Sequence, residues 1–415
     1  MAASIFVYNS KPCIKISFIK YKNIVMKRIA LLFLGIILAS SCSQDEVQDA
    51  NITPIDINPD LSNRINFIDL VDSLYLIPLE TKDDNALGVL NKIELDQHSF
   101  YILDYSGGPI QAYTKKGDFR HYIGRLGRGE GEYNELKDFF LTNSGIGLLD
   151  FKKVIHYSYS GEYQNSINLD VLSSRVQPIG EDLFMHYISN GVTVDNTSSY
   201  LYLSSSDMKA KDFFINKGEY TDKFTMDMNV FAPTEDGLRI RTDMSDIIYT
   251  YNLLEENNQL TPTYMLNFGK YFPDDAFFRT TYQLDPISFF EEYRKKYIYF
   301  PRYRESGYFF CISYFLNEAN DPFFSIYSKK NSVTYDFKVA DSDPFTYFFN
   351  RIMCNDGEWF ISAISAMDLI HAADLLKEND QSTPHFSNDI VALSERLEIS
   401  DNPVLVAIRF KDLEN

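Results

Sequence analysis

Two arginines and a tyrosine in a glycine-rich segment have the residue types and spacing to bind an anion. Residues 124–133 contain Arg125, Arg128 and Tyr133 among four glycines. Guanidinium groups match the planar geometry of carboxylates and sulfates, so these three residues are candidates for binding an acidic glycan. The alternative is a structural role in the turn, which the position of the segment between two repeats favours. The acids available for such pairing are Glu130, Glu132 and Asp138.

Histidines offer a second kind of chemistry. His121 and His156 fall in strand patterns of adjacent repeats, and a ring-shaped fold could bring them to its axis as metal ligands. Packing or surface histidines are the more common case, so we expect no metal site and no cofactor. Cys311 and Cys354 could pair, but two buried thiols are the favoured interpretation.

The familiar catalytic motifs are missing from the sequence. It contains no phosphate-binding loop, no His-Glu-x-x-His motif, no Cys-x-x-Cys motif and no Gly-x-Ser-x-Gly elbow. The carboxylate pairs at 274–275 and 291–292 are neighbours in sequence, so their side chains diverge and make poor acid/base dyads. The sequence therefore assigns no catalytic residue.

The candidate residues lie between two copies of a strand pattern. Four short strands are predicted at 91–95, 100–104, 110–113 and 119–123, with turn residues between them. The pattern returns 44 to 46 residues later, where 147–150 matches 101–104 and 157–163 matches 113–119. A period in the forties made of four short strands is typical of a β-propeller blade.

Weaker copies of this pattern predict four more blades. Their strands are expected at 183–187, 200–203 and 212–215; at 238–241, 247–251 and 263–268; at 308–312, 323–327 and 333–337; and at 358–361 and 404–410. The last blade lacks a strand and the strand at 74–79 is left over, so we predict that the two ends of the chain pair and close the ring. Helical insertions are predicted at 286–296 and 365–378, with a possible third at 390–397.

Composition agrees with an all-β, six-bladed propeller of four-stranded antiparallel blades. The 415 residues are 45% hydrophobic and include 29 Tyr and 33 Phe, residue types that favour strands. The formal net charge of −19 excludes nucleic acid as an expected partner. We expect a monomer.

The N-terminal residues predict export. Residues 1–41 are basic and contain an apolar run at 29–38, which has the length of a signal-peptide core and is too short to span a bilayer. Ala39-Ser40-Ser41 then precedes Cys42, which is the predicted site of lipidation. The predicted organisation is an upstream extension with a lipoprotein signal peptide at 1–41, with Met26 as the initiator, a flexible tether at 42–63 and the propeller at 64–415.

One family shares the most specific of these motifs. Residues 124–133, preceded by the strand Tyr-Ile-Leu-Asp at 101–104 and the turn Lys-Gly-Asp-Phe at 116–119, resemble the first blade junction of the six-bladed β-propeller lipoproteins of gut Bacteroidetes. Ile-Pro-Leu-Glu-Thr at 77–81 is similar to the entry strand of that family. Glu130 stands where the family often has proline. The resemblance implies a lipid-anchored protein of the outer membrane, exposed at the cell surface or facing the periplasm.

Two functions are compatible with this sequence. The favoured hypothesis is a surface-tethered binding or scaffold module that captures a glycan, a peptide or a protein partner. The rival hypothesis is a propeller enzyme, either a glycoside hydrolase or a polysaccharide lyase. An enzyme should bring two carboxylates, or a histidine with a tyrosine or arginine, to one mouth of the channel, whereas a binding module should not.

Overall fold

The structure is a computed structural model. It describes residues 52–61, 63–65, 67–150, 152–189, 199–217, 230–253, 259–317, 322–339, 343–345, 347–349, 351–378 and 386–412. The predicted signal peptide, the lipidation site Cys42 and the first part of the predicted tether lie outside the described residues.

Six antiparallel sheets form the blades of a β-propeller. Blade 1 consists of β4 (Leu90–Leu95), β5 (Ser99–Asp104), β6 (Ile110–Thr114) and β7 (Phe119–Ile123). Blade 2 consists of β8 (Leu136–Thr142), β9 (Gly145–Asp150), β10 (Lys153–Tyr157) and β11 (Tyr163–Asn168). Blade 3 consists of β12 (Arg175–Pro178), β13 (Leu183–Tyr187), β14 (Ser199–Ser205) and β15 (Ala210–Asn216).

The other three blades follow in chain order. Blade 4 consists of β16 (Phe231–Thr234), β17 (Gly237–Ile240), β18 (Ile247–Asn252) and β19 (Leu260–Asn267). Blade 5 consists of β20 (Tyr299–Glu305), β21 (Phe309–Phe315), β22 (Phe323–Ser328) and β23 (Val333–Val339). Blade 6 consists of β24 (Cys354–Asp356), β25 (Trp359–Ile364), β26 (Val404–Phe410) and β3 (Val71–Pro78).

Pairing between the two ends of the chain closes the ring, as the sequence predicts. Strand β3 runs antiparallel to β26, with Pro78 opposite Val404 and Tyr75 opposite Ala407. Closure removes the open sheet edges that would otherwise be left between the first and last blades.

The N-terminal boundary predicted at residue 64 is too late. Strand β1 (Thr53–Asp56) pairs in parallel with β19 of blade 4, and strand β2 (Asn63–Ile65) pairs in parallel with β23 of blade 5. Ile55 has no exposed surface because it packs in the apolar cluster between those two blades. Residues 53–56 are therefore part of the propeller, not of a tether.

Each junction between neighbouring blades has its own hydrophobic core. The cluster between blades 1 and 2 includes Leu103, Phe139 and Leu148. The cluster between blades 6 and 1 includes Leu405 and Ile102. Corresponding clusters join blades 2 and 3, blades 3 and 4, blades 4 and 5, and blades 5 and 6. The hydrophobic core therefore consists of six clusters, one at each junction between blades, arranged around the axis of the ring.

Helical insertions extend from one face of the ring. They are α1 (Asp275–Thr281), α2 (Pro286–Arg294), α3 (Ala366–Glu378) and α4 (Ser387–Ser394). Asp285 caps α2, since its carboxylate accepts from the backbone N–H groups of Ile287 and Ser288. The helices predicted near 286–296, 365–378 and 390–397 are present, and α1 was not predicted.

Antiparallel strands send alternate connections to opposite faces of the ring. The connections between the second and third strands of a blade, and those between successive blades, share one face, which also carries the four helices and residues 124–133. We call this the helical face. The tight turns between first and second strands, and between third and fourth strands, form the opposite face, which we call the turn face.

The first strands of blades 2 to 6 have no range predicted from the sequence, and neither have β1 and β2. Blade 3 opens with Arg-Val-Gln-Pro, blade 4 with Phe-Ala-Pro-Thr and blade 5 with Tyr-Phe-Pro-Arg-Tyr-Arg-Glu. Proline and charge weaken a strand pattern, but both are tolerated here because the first strand of a blade has an unpaired edge towards the axis.

Candidate functional site

The first strands of the six blades surround a central cavity. Contacts run from β4 to β8, from β8 to β12, and from β16 through β20 and β24 back to β4. The cavity has a volume of about 250 Å³ and takes lining residues from the first strand, or the segment just before it, of all six blades. A site at the axis is therefore built by residues that are far apart in sequence.

Basic side chains outnumber acidic ones in the lining of this cavity. Among the described residues, five that line the cavity are basic, Lys92, Lys137, Arg175, Arg304 and Arg351, and two are acidic, Glu94 and Asp138. The whole chain has a net charge of −19, so the charge of the cavity is opposite to that of the protein. A group of like charges in a partly closed site attracts a ligand of the opposite sign.

Both acids of the cavity are already paired with one lysine. The Lys92 ammonium lies 2.8 Å from Asp138 and 3.0 Å from Glu94, and it also donates to the backbone carbonyl of Phe139 at 2.7 Å. Burial opposes the charge of Lys92, yet the two carboxylates raise its pKa above the ordinary value. The second oxygen of Asp138 accepts from the backbone N–H of Val176 at 3.0 Å, and Asp138 is only 2% exposed. Asp138 therefore connects blades 1, 2 and 3, whereas Glu94 pairs with a lysine of its own strand.

Two arginines of the cavity are held by neutral groups. Arg304 donates to the backbone carbonyls of Met353 and Tyr303, at 2.7 and 2.9 Å. Arg351 donates to the carbonyls of Leu90 and Asn91, at 2.9 and 2.8 Å. Within the described residues neither guanidinium forms an ion pair. Burial lowers the pKa of both arginines, so an anion beside them would offset the cost of holding their charges in the cavity.

The carbonyl contacts have a structural cause. The first strand of each blade is paired on one side only, so its other edge presents backbone carbonyls to the axis. Arg175 follows the same pattern in blade 3, where it donates to the carbonyls of Lys137 and Ser174. For Arg304 and Arg351, neutral carbonyls satisfy guanidinium N–H groups but leave the positive charge in place.

An exposed aromatic ring lies beside Arg351. Tyr105 belongs to the connection between the second and third strands of blade 1, on the helical face, and is half exposed. The Arg351 guanidinium carbon lies 5.6 Å from the centre of the Tyr105 ring, within the range of a cation–π contact. This ring is therefore next to the cavity on the helical face.

The site residues predicted from the sequence lie elsewhere. Arg125 is paired with Glu132, and its side chain is 79% exposed. A Glu132 carboxylate oxygen also accepts from the backbone N–H of Gly129 at 2.7 Å, so this pair holds the turn, as the structural alternative proposed. Arg128 is exposed in the same segment, and neither arginine lines the cavity.

Tyr133 is a core residue. Its side chain has no exposed surface and packs in the cluster between blades 1 and 2, with its hydroxyl 3.4 Å from the Gly107 carbonyl. Both blades cover the ring, so in this structure Tyr133 has no surface at which to meet the ligand predicted for it.

The histidines do not converge on the axis. His121 lies on β7, the outermost strand of blade 1, and its Nε2 is 3.0 Å from the Tyr159 carbonyl. His156 lies on β10, the third strand of blade 2, where burial lowers its pKa. Among the described residues, no group of three or more His, Cys, Asp or Glu side chains could hold a metal ion.

The two cysteines of the propeller are free thiols. Cys311 is buried, whereas Cys354 is partly exposed and lines the cavity. Burial raises the pKa of the Cys354 thiol to about 12, so it is not a reactive nucleophile at neutral pH.

A signal for the cavity is present in the sequence but is hard to read. A basic residue occurs in or just before the first strand of five blades, at 92, 137, 175, 304 and 351. The regularity becomes visible only when the first strands are identified, and the sequence pattern predicted a range for only one of them, at 91–95.

No helix in the described part of the chain is long and apolar enough to cross a membrane. The finding does not extend to residues 1–51, which lie outside the described part.

Comparisons with known proteins agree with the fold. A family model described as "Domain of unknown function (DUF4934)" matches residues 52–409. A solved structure of a Bacteroides fragilis protein described as exported is similar, with a TM-score of 0.74 and 18% identity, and the match covers 87% of this chain and 100% of that one. A Bacteroides vulgatus structure of the DUF4221 family has a TM-score of 0.45 and 10% identity over 82% of this chain and 97% of that one. No curated protein matches the chain.

Proposed function

Because the chain belongs to the family described as "Domain of unknown function (DUF4934)", which names no activity, we propose its function from the central cavity. The protein is a surface-tethered propeller module that captures a ligand, and the ligand places a carboxylate or sulfate group among the basic side chains of the cavity. It is anchored by lipid at Cys42 to the outer membrane.

The observation that carries this proposal is that Arg304 and Arg351 form no ion pair with the described residues, although both line the cavity. Both guanidinium groups are held in the cavity by carbonyls, which orient them without neutralising them. An arginine held in place loses little side-chain entropy on binding and presents a planar fork that suits carboxylate or sulfate oxygens. The acidic remainder of the chain would repel such a ligand elsewhere on the surface.

The contacts of the two acidic residues in the cavity favour ligand capture over catalysis. Glycoside hydrolysis needs one carboxyl group that gives up a proton and another that attacks or activates water. Asp138 is buried and accepts from both Lys92 and the Val176 N–H, and Glu94 is paired with the same lysine. Among the described residues of the lining, both acids are therefore held by Lys92 and neither is placed to move a proton to a substrate.

Binding measurements on three arginine variants test this site. The purified protein is titrated calorimetrically with acidic and matched neutral oligosaccharides, and each mixture is assayed for new reducing ends. R304Q and R351Q should each weaken binding of the acidic ligand by roughly tenfold or more, since a hydrogen bond to a charged group contributes about 1.5–3 kcal/mol. R125Q is the matched control, because Arg125 is exposed and lies outside the cavity.

Three outcomes would contradict the proposal. Equal affinity for acidic and neutral ligands would show that the charge of the ligand does not contribute to binding. A loss of affinity in R125Q but not in R351Q would return the site to residues 124–133. New reducing ends would make the protein an enzyme. Thermal unfolding of each variant confirms that the protein is folded before its affinity is interpreted.

The lipid anchor has a test of its own. Cys42 follows an apolar run and the small residues 39–41, and the similar Bacteroides fragilis protein is described as exported. C42A should move the protein from the membrane fraction to the soluble fraction of the cell envelope. Protease added to intact cells should degrade the wild-type protein if it faces outwards. Retention of C42A in the membrane fraction would contradict lipidation at this residue.

A further inference from the structure

We propose that Tyr105 and Arg351 form a subsite for the ring of an acidic sugar at the end of a glycan, at the mouth of the cavity on the helical face. This inference rests on the proposed function, because it concerns the same cavity. It adds the class of ligand, the direction of entry and a residue that recognises the ring and not the charge.

Hydrogen bonds attach both residues to the start of β4. Two carbonyls of the segment that starts β4 hold the Arg351 guanidinium, and the Tyr105 backbone N–H donates to the Val89 carbonyl at 2.9 Å, immediately before that strand. Arg351 and the backbone of Tyr105 are therefore both attached to the start of β4. This attachment keeps the Tyr105 ring close to the guanidinium.

The chemistry of the pair suits an acidic sugar. A sugar ring has an apolar face of C–H groups, and an exposed aromatic ring provides a matching surface for it. A uronic acid carries a carboxylate on the same ring, which the guanidinium can bind while the ring stacks on Tyr105. Amide side chains in the lining can bond sugar hydroxyls; they belong to Asn91, Gln177 and Asn355.

The size of the cavity favours an end group. Its volume of about 250 Å³ is below the roughly 300–1,000 Å³ of pockets that enclose a drug-sized ligand. Such a space suits one sugar ring, and the rest of a glycan would remain outside on the helical face. In an acidic peptide the carboxylate is on a flexible side chain and not on a ring, so no single residue contacts both the arginine and the face of Tyr105 as a uronic acid does.

The test compares ring and charge with three small probes. D-glucuronate has both the ring and the carboxylate, D-glucose has the ring only, and acetate has the carboxylate only. Calorimetric titrations use the wild-type protein, Y105A, Y105F and the control Y308A. Tyr308 is the matched control because it is 60% exposed and lies in a turn between the first and second strands of blade 5, on the turn face.

We expect glucuronate to bind more tightly than glucose or acetate. Y105A should weaken glucuronate binding by roughly two- to tenfold, the range of an aromatic contact, and should leave acetate binding unchanged. Y105F, which keeps the ring, and Y308A should both retain the wild-type affinity for glucuronate.

Failure of this inference can be separated from failure of the proposed function. If Y105A leaves glucuronate binding unchanged while R351Q abolishes acetate binding, the anion site stands and the sugar subsite is overturned. If Y105A weakens acetate and glucuronate equally, Tyr105 acts only by positioning Arg351, and the subsite is again overturned. A peptide ending in glutamate that binds more tightly than glucuronate, with no effect of Y105A, would assign the site to peptides. If R304Q and R351Q leave the affinity for acidic ligands unchanged, both proposals fail.

Discussion

Charged and titratable side chains in this propeller differ mainly in what surrounds them. Lys92 faces two carboxylates and has a raised pKa, whereas Arg304 and Arg351 face carbonyls and have lowered pKa values. His186 is the extreme case of burial. It has no exposed surface, lies between the hydroxyls of Ser173 and Ser204 at 3.2 and 2.8 Å, and stacks on Tyr202 with ring centres 4.3 Å apart. Burial lowers the pKa of His186 to about 3.

His186 makes the stability of the fold depend on pH. The imidazole is neutral in the folded protein, while in the unfolded chain it takes up a proton near its ordinary pKa of about 6.5. Its contribution is therefore present above pH 6.5 and is lost as the pH falls towards 3. This group alone should lower the free energy of unfolding by about 2 kcal/mol between pH 7 and pH 5.

Urea unfolding of H186F at the two pH values measures this contribution. The variant should be less stable at pH 7, because two buried hydroxyls lose a partner, but its stability should fall by about 2 kcal/mol less between pH 7 and pH 5. H98Q, at an exposed histidine, is the matched control. An unchanged pH dependence in H186F would show that another group is responsible.

Among the elements, the turn between the third and fourth strands of a blade explains the sequence repeat. Gly117 and Gly161 are the equivalent residues of blades 1 and 2, with φ angles of 94° and 85°. A Cβ atom on Gly161 would lie 2.7 Å from the Tyr122 carbonyl oxygen of the preceding blade, and a Cβ atom on Gly117 would overlap the Pro78 carbonyl. The Gly117 carbonyl in turn accepts from the Glu80 backbone N–H at 2.8 Å. The repeated glycine is thus required by close contact between blades as well as by its φ angle.

Substitution of two glycines separates these effects. G117A should cost about 3 kcal/mol of unfolding free energy, because the strain of a left-handed φ adds to a clash with the backbone of blade 6. G107A is the control, since Gly107 has a φ of 71° but no atom within 4 Å of the added Cβ. It should cost only about 1 kcal/mol. If urea unfolding shows the same loss of unfolding free energy for G117A and G107A, the contact between blades does not contribute to the cost of G117A.

At the scale of the whole molecule, the N-terminal segment crosses three blades. It adds a parallel strand to the outer edge of blade 4, another to the outer edge of blade 5, and then supplies the outermost strand of blade 6. Side-chain contacts reinforce this path, since Asp336 of blade 5 accepts from the Asn58 backbone N–H at 3.1 Å and Asp343 accepts from the Phe67 N–H at 2.6 Å. The segment protects two sheet edges that would otherwise be open.

Substitution at Ile55 tests whether this segment stabilises the ring. I55A should lower the free energy of unfolding by about 2–4 kcal/mol, the range for truncating a buried aliphatic side chain. V89A, at a residue that is 72% exposed, is the control and should change stability by less than about 0.5 kcal/mol. A neutral I55A would mean that residues 53–56 behave as a tether in solution.

The sequence by itself determined the blade repeat, the number of blades and the closure of the ring. The repeat and the number of blades follow from local patterns, because turns such as 115–118 and 158–162 and the apolar strands between them are encoded within each blade. Closure follows from counting strands, since the strand at 74–79 is left over and the last blade lacks one. It also identified the Arg125 turn, whose pairing with Glu132 involves residues seven positions apart along the chain.

Only the tertiary structure decided where the site is. Lys92, Arg175, Arg304 and Arg351 come from four different blades, and their approach depends on the order and tilt of blades around the axis, which no local pattern contains. The strands that carry them are also the least regular, since an unpaired edge at the axis tolerates proline and charge. Tyr133 shows the converse: a residue that is polar and accessible by type became buried because a second blade covers it. Local periodicity fixes what packs within a blade, whereas accessibility and charge at the axis are properties of the closed ring.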